Sequence, residues 1–294
     1  MKTGWPKISI VVLNWNNYED TKECIRSLEA LTYPNYDIIV VDNGSADGST
    51  RKIQSEHPKH SYIYNGSNLG FTGGNNSGMK YAYEKGADYI FWINNDMIAD
   101  PKFLEPLAEA GEKGAGIMGP LTFCYPEKEK VYTAGEDLRF LGLGIKRYKT
   151  AGKAREVDFL GGSFLVKREV LEKIGFFYEP FFLNHEETDF CFRAKKAGFK
   201  VYFEPKSRIW HKVGKTLKKM PAQATYYYYR NKLLFIKRNF KIVKYPLFLY
   251  WHFYLAARLV QKKAAGNQQI AYAIEQAVKD FWKGKFGKRD LYGK

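Results

Sequence analysis

The sequence predicts an α/β domain, a sheet flanked by helices, that continues into a basic, aromatic-rich helical extension. Three observations predict it. Strand-like and helix-like patterns alternate through the first hundred residues, polar residues cluster where the apolar runs end, and positive charge is confined to the last third. A chain of 294 residues accommodates one full α/β domain and a modest appendage.

Ile8 to Leu13 is a near-continuous apolar, β-branched run, the pattern of a strand buried on both faces. Glu19 to Leu31 has helical spacing, Asp37 to Val41 reads as a second strand, and Asp47 to His57 as a second helix. Ser61 to Tyr64, Gly74 to Lys85 and Asp88 to Ile93 supply a third strand, a third helix and a fourth strand. This βαβαβαβ order implies a sheet whose ligands sit beyond the carboxyl ends of its strands. Those ends carry Asn14-Trp15-Asn16, Asp42-Asn43 and Asn94-Asn95-Asp96. The middle is less regular, with hairpins expected over Phe140 to Lys153. Beyond it, Gly161-Gly162-Ser163 leads through an apolar strand into a helix from Arg168 to Lys173. A further helix runs from Glu186 to Ala197 and stops at Gly198, followed by a strand from Lys200 to Glu204. Helical spacing resumes at Thr225.

Residues 1 to 205 carry 26 Lys/Arg against 28 Asp/Glu, whereas residues 206 to 294 carry 21 against 3. A neutral body with a cationic tail points to a polyanionic partner, either a membrane leaflet or nucleic acid. The tail begins with Tyr226-Tyr227-Tyr228-Tyr229-Arg230 and continues through Lys232, Lys237, Arg238, Lys241 and Lys244. A basic amphipathic helix with aromatic anchors is the form of an in-plane attachment to an anionic membrane surface. The alternative is that these aromatics pack onto the body. Tyr245 to Ala257, broken by Pro246 and His252, falls short of the roughly 20 residues a spanning helix needs. Cys24, Cys124 and Cys191 are too scattered for a disulfide framework or a zinc site, which suits a reducing cytoplasm. The first residues run into a strand without a signal-peptide layout, so the chain is expected to stay on the cytoplasmic side, peripheral to the membrane.

Several residues could carry chemistry. Asp42 stands where a carboxylate can accept from a nucleobase or ribose, although an Asx-turn with Asn43 would also explain it. Asp47 reads as a helix cap. Asp96 delivers an oxygen ligand for a hard divalent cation at the end of an apolar strand, with a substrate diphosphate needed to complete the site. Glu186, Glu187 and Asp189 fill the first turn of their helix, where negative charge complements the helix dipole. Asp189 is also placed to pair with Arg193, and Glu187 is placed to take a proton from an attacking hydroxyl. The glycine-rich run from Asn68 to Gly78 follows the third strand rather than the first, which counts against a NAD-binding fingerprint.

Taken together, these segments resemble glycosyltransferase family 2, the inverting enzymes of GT-A fold, and especially its rhamnosyltransferase-like branch. The resemblance rests on Ile8 to Asn16, Val41 to Ser49, Asn68 to Gly78, Asn94-Asn95-Asp96, Gly161 to Phe164, Glu186 to Asp189, Trp210-His211 and Tyr229-Arg230-Asn231, in that order. It implies a GT-A catalytic domain over residues 1–220, with a nucleotide-binding half (1–120) and an acceptor half (121–220), before a helical extension over 221–294. By the same resemblance Asn14, Asn16, Asp42, Asn68 and Asn95 would hold the nucleotide, and Asp96 with His211 a Mg²⁺ or Mn²⁺ ion. Glu187 would act as base, although the family has Asp there. Gly162, Glu186, Asp189 and Arg230 would border the donor and acceptor pocket. The implied partners are a nucleotide-sugar donor, dTDP-rhamnose or a UDP-sugar, and a glycan or lipid-linked acceptor. A sugar nucleotidyltransferase would need a Lys/Arg-bearing glycine loop after the first strand, which Asn14-Trp15-Asn16-Asn17 lacks. A nucleic-acid-binding protein would have no use for Asp42, Asp96 and Glu187, so nucleic acid is not the expected partner. A catalytically inactive sugar-nucleotide-binding homologue is the remaining alternative, because of Asn94 and Glu187.

Overall fold

A computed structural model describes residues 4–127, 129–139, 144–212 and 220–291. Its core is a mixed sheet with strand order β10-β12-β6-β11-β4-β1-β2-β3. The strands β1 (Ile8–Asn14), β2 (Tyr36–Asp42), β3 (Ser61–Tyr64) and β4 (Tyr89–Asn94) are parallel and linked by α1 (Tyr18–Glu29), α2 (Ser49–Glu56) and α3 (Gly70–Glu84). After β4 come β5 (Met97–Ala99), α4 (Leu104–Glu112), β6 (Ala115–Cys124) and β7 (Val131–Thr133). A hairpin of β8 (Glu136–Arg139) and β9 (Gly144–Arg147) begins before the expected hairpin region, Phe140 to Lys153, and only β9 falls within it; Phe140 to Leu143 lie outside the described residues.

The chain returns through β10 (Arg155–Glu156), β11 (Phe164–Lys167), α5 (Arg168–Ile174), α6 (Glu186–Lys196) and β12 (Lys200–His211). Inserting β11 antiparallel between β4 and β6 makes the sheet mixed. The strand expected to stop at Glu204 continues to His211, because its pairing with β6 shifts register across Pro205 and then resumes. That extension carries His211 to the carboxyl end of β4.

Side chains along β1 alternate between two cores. Val11 faces Met79 and Ala82 of α3, together with Phe190 and Ala194 of α6. Ile10 and Val12 face Ile25 and Leu28 of α1 and Leu107 of α4. This period of two, with both faces apolar, is why β1 reads as an unbroken hydrophobic run.

The helix α3 starts a turn earlier than the spacing predicts. Asn68 Oδ1 accepts from Gly70 N (2.8 Å), and Phe182 O accepts from Phe71 N (2.7 Å), so the first turn is held from outside the helix. Its glycines serve close packing. A Cβ on Gly78 would lie 2.4 Å from Val11 Cγ1 and 2.9 Å from Val41 Cγ2, so the helix backbone rests directly on β1 and β2.

The extension forms α7 (Pro221–Asn239), α8 (Lys244–Ala264) and α9 (Gln268–Trp282) around a third core that includes Phe181. Tyr226, Tyr227 and Tyr229 are buried there, so this stretch packs onto the body as the alternative reading has it. Among the described residues, no helix is long and apolar enough to cross a membrane.

Overpacking at the α3–β1 contact is expected to be costly. Gly78→Ala should destabilise the fold by about 1–3 kcal/mol, read as a lower urea midpoint with unchanged slope. An unchanged midpoint would show that the helix can move off the sheet freely.

Candidate active site

The carboxyl ends of β4, β1 and β2 are neighbours, with Leu13 opposite Asn94 and Asn14 opposite Asp42. Asn14 is fully buried there. Its amide donates to Thr50 Oγ1 (2.7 Å) and Ser49 Oγ (2.8 Å), and its oxygen accepts from Thr21 (2.8 Å). Asn14, which the resemblance places at the nucleotide, thus ties three segments together. Asp42 is nearly buried and accepts from Thr50 Oγ1 (2.6 Å) and Ser45 N (3.2 Å). It thus shapes its own turn. The cap position expected for Asp47 is taken by Gly48, and Asp47, one residue earlier, accepts from Ser49 N (2.9 Å) at the start of α2.

Asn16 is exposed, with left-handed backbone, and accepts from Ala46 N (2.8 Å). Asn68 joins Asn43 (3.2 Å), and Asn95 donates to Thr21 Oγ1 (2.7 Å). This network fixes the loops at the strand ends and leaves Trp15 and Asn16 facing outward.

Asp96 and His211 meet where β4 and β12 end. Asp96 Oδ2 lies 3.3 Å from His211 Nε2, while Asp96 Oδ1 and His211 Nδ1 are buried without a partner. A half-buried carboxylate beside an imidazole, each with an unsatisfied atom, fits a divalent cation. Lys212, next in the chain, donates to Asp96 O through its backbone (3.0 Å) and binds Asp20 of α1 (2.6 Å), which anchors the end of β12.

Glu187 reaches the same end of the sheet. Its Oε1 accepts from Gly162 N (3.0 Å), and Gly162 O accepts from Trp92 Nε1 (3.0 Å) on β4. Gly162 has φ of 96°, and a Cβ there would lie 3.3 Å from Met97 Cε, one residue from Asp96. Tyr132 packs edge-on against His211, centroids 5.0 Å apart, and burial raises the pKa of its hydroxyl, with Arg147 opposing and the Glu187 charge adding to the shift. Arg147 is paired across the β8–β9 hairpin with the buried Glu136.

Burial first, and then the charge of Glu186, push the Glu187 carboxyl well above the usual carboxylate range. Glu186 is pushed up to about 7 by burial, and its Oε2 has no partner. Two acids with raised proton affinity, side by side at a helix start, are suited to holding and passing on a proton.

Asp189 and Arg230, expected at the donor and acceptor pocket, are both interior. Asp189 is fully buried and accepts from Arg193 (2.8 Å), Asn239 (2.7 Å) and Arg238 (3.3 Å), so it locks α6 to α7. Arg230 is also fully buried, and its guanidinium donates to the carbonyls of Phe181 (3.1 Å), Pro180 (3.3 Å) and Gly287 (2.9 Å). Asn231 donates to the carbonyls of Phe181, Leu183 and Asn184 at 2.7, 2.7 and 3.0 Å. The loop they grip contains Phe182, Asn184 and His185 in left-handed conformation, immediately before Glu186. Sequence reasoning missed Tyr132, Glu136, Arg147 and the clamp role of Asn231. The first three lie in the irregular middle, and Asn231 acts on carbonyls that carry no side-chain signature.

A mixed α/β sheet flanked by helices, with these groups at its strand ends, is similar to the GT-A fold of glycosyltransferases. A sequence model described as "Glycosyl transferase family 2" matches residues 9–175, and the chain belongs to that family. It is 26% identical over 243 residues to the dTDP-rhamnosyl transferase RfbF of Shigella flexneri, covering 79% of this chain and 80% of that one. It is 26% identical over 200 residues to the low-salt glycan biosynthesis hexosyltransferase Agl10 of Haloferax volcanii. That match covers 66% of this chain and spans 63% of the Haloferax protein. The fold is similar to the mannosyltransferase PcManGT of Pyrobaculum calidifontis, solved with GDP-Man and Mn²⁺. The TM-score is 0.59 at 15% identity, over 96% of this chain and 84% of that one.

Removing the clamp should be felt at the site. Asn231→Ala leaves buried carbonyls unpaired, so it should cost about 1–3 kcal/mol of stability and lower turnover while the protein remains folded. Turnover equal to the parent's would show that the loop holds its shape unaided.

Proposed function

We propose that this chain is an inverting, divalent-metal-assisted glycosyltransferase. It moves a sugar from a nucleoside diphosphate donor, dTDP-rhamnose or a UDP-sugar, to a hydroxyl of a glycan or lipid-linked acceptor. The observation that supports this reading is that Glu187, held by Gly162 beside Trp92 of β4, lies at the same end of the sheet as Asp96 and its partner His211. The name of the Shigella relative favours dTDP-rhamnose, and the Mn²⁺ in the mannosyltransferase structure favours a metal.

Glu187 takes the proton of the acceptor hydroxyl as that oxygen attacks the anomeric carbon. The new C–O bond forms on the face opposite the departing phosphate, whose oxygen leaves with the bonding electron pair, so configuration inverts. Asp96 and His211 would hold the divalent ion, whose chemistry is neutralisation of charge on the departing diphosphate. Gly162 N–H orients the Glu187 carboxylate, and Tyr132 and Trp92 shield its surroundings from water. The direct test is a panel of nucleotide sugars assayed for release of dTDP or UDP with Mn²⁺ or Mg²⁺. Release from one donor that stops with chelator is expected. No release from any donor with either ion would refute the reading.

The raised proton affinity of Glu187 sets the pH response. The base is lost as it protonates, so kcat/KM should fall on the acid side. Glu186→Gln removes a negative neighbour, lowers the Glu187 pKa and should move that acid limb to lower pH. A limb that stays put or moves upward in a pH–rate profile would show that Glu186 is not coupled to the base.

For the membrane partner, the structure shifts attention from Tyr226–Tyr229 to α8. Leu247, Trp251 and Leu255 face inward, whereas Tyr245, Leu249 and Phe253 are 62–70% exposed at four-residue spacing. Exposed Lys241, Lys263, Lys283, Lys285 and Lys288 accompany this stripe. An apolar stripe among cations suits in-plane docking on an anionic leaflet. Leu249→Glu with Phe253→Glu should abolish sedimentation with anionic vesicles and leave soluble-donor hydrolysis intact. Undiminished sedimentation would rule out this face.

A further inference from the structure

We infer that Glu29, His57 and His60 form a second metal site, for a borderline divalent ion of the Zn²⁺ class, at the end of the sheet opposite Asp96. Glu29 ends α1, His57 follows α2, and His60 precedes β3, so three chain segments converge where β2 and β3 begin. Glu29 Oε1 lies 3.1 Å from His57 Nδ1 and 2.9 Å from His60 Nε2, and all three ligand atoms lie within 4.8 Å of one another. The two imidazole side chains are 10% and 6% exposed, and their rings are near-parallel at 15°.

Atoms bound to a tetrahedral Zn²⁺ at about 2.0–2.1 Å stand roughly 3.3 Å apart. The two carboxylate–imidazole pairs therefore need shifts of only a few tenths of an ångström, and the two imidazole nitrogens close on each other from within 4.8 Å. Two imidazole nitrogens and one carboxylate oxygen select Zn²⁺-like ions over Mg²⁺ or Ca²⁺, which favour oxygen alone. Water takes the fourth position. Lys59 Nζ also lies 3.3 Å from Glu29 Oε1, but its side chain is 65% exposed and can withdraw into solvent. The site would bolt the end of α1 to the turn between α2 and β3, away from the transferase chemistry.

The test uses the full chain stripped of metal by chelator and then given Zn²⁺ in excess. After dialysis one Zn²⁺ per chain should remain, the melting temperature should rise, and Asp96→Asn should retain the ion. His60→Ala should weaken Zn²⁺ affinity measured by calorimetry by at least about tenfold, with circular dichroism confirming its fold. His57→Gln serves as a second variant should His60→Ala not fold. Three hydrogen-bonded side chains with no metal role would give no retained Zn²⁺. Absence of retention, undiminished affinity in both histidine variants, or loss of the ion in Asp96→Asn would overturn the assignment.

Discussion

Phe182, Asn184 and His185 hold left-handed backbone, at a cost of roughly 1–3 kcal/mol each. The position of Glu186 and Glu187 depends on what keeps them there. The restraint comes from α7, where Arg230 and Asn231 are wholly buried and spend their donors on carbonyls of Pro180, Phe181, Leu183 and Asn184. Charge-assisted hydrogen bonds in a buried setting are strong enough to offset such strain. The helical extension is therefore bound to the loop that enters α6, and the setting of Glu187 depends on residues more than forty positions downstream.

The opposite wall rests on a different device. Asn14, Thr21, Thr50 and Asp42 form a buried polar knot under the strand ends, which frees the loops above it from needing their own support. Asp96 reaches the cleft from β4, and His211 is delivered by a strand that crosses a register shift at Pro205. Rigid strands on one side and a clamped loop on the other bring two carboxylates from distant parts of the chain to the same end of the sheet. Burial then raises the proton affinity of Glu187, which would be an ordinary surface acid in a solvated helix turn.

The first four strands and their polar ends were legible because parallel strands buried on both faces read as apolar runs, and the turns after them need Asn, Asp and Gly. The order of the eight family-like segments singled out Asp96, His211 and Glu187 as candidates. The β8–β9 hairpin and the antiparallel placement of β11 were not, since strand pairing is decided by partners far away in sequence. Arg230 illustrates the limit. A cation within a cationic segment reads as solvent-facing or ligand-facing, and only the carbonyls of residues 180, 181 and 287 show that it is interior. Tyr226, Tyr227 and Tyr229 were ambiguous for the same reason, and the exposed stripe of α8 became visible only once its inward face was known.

The central claim is that Glu187 alone serves as the base in a cleft whose nucleotide side is built independently of it. The most direct measurement pairs turnover with donor affinity in Glu187→Gln, an isosteric change that removes the charge. Turnover should fall by about 100-fold or more, while calorimetry records donor affinity close to the parent's. Near-normal turnover would contradict the account.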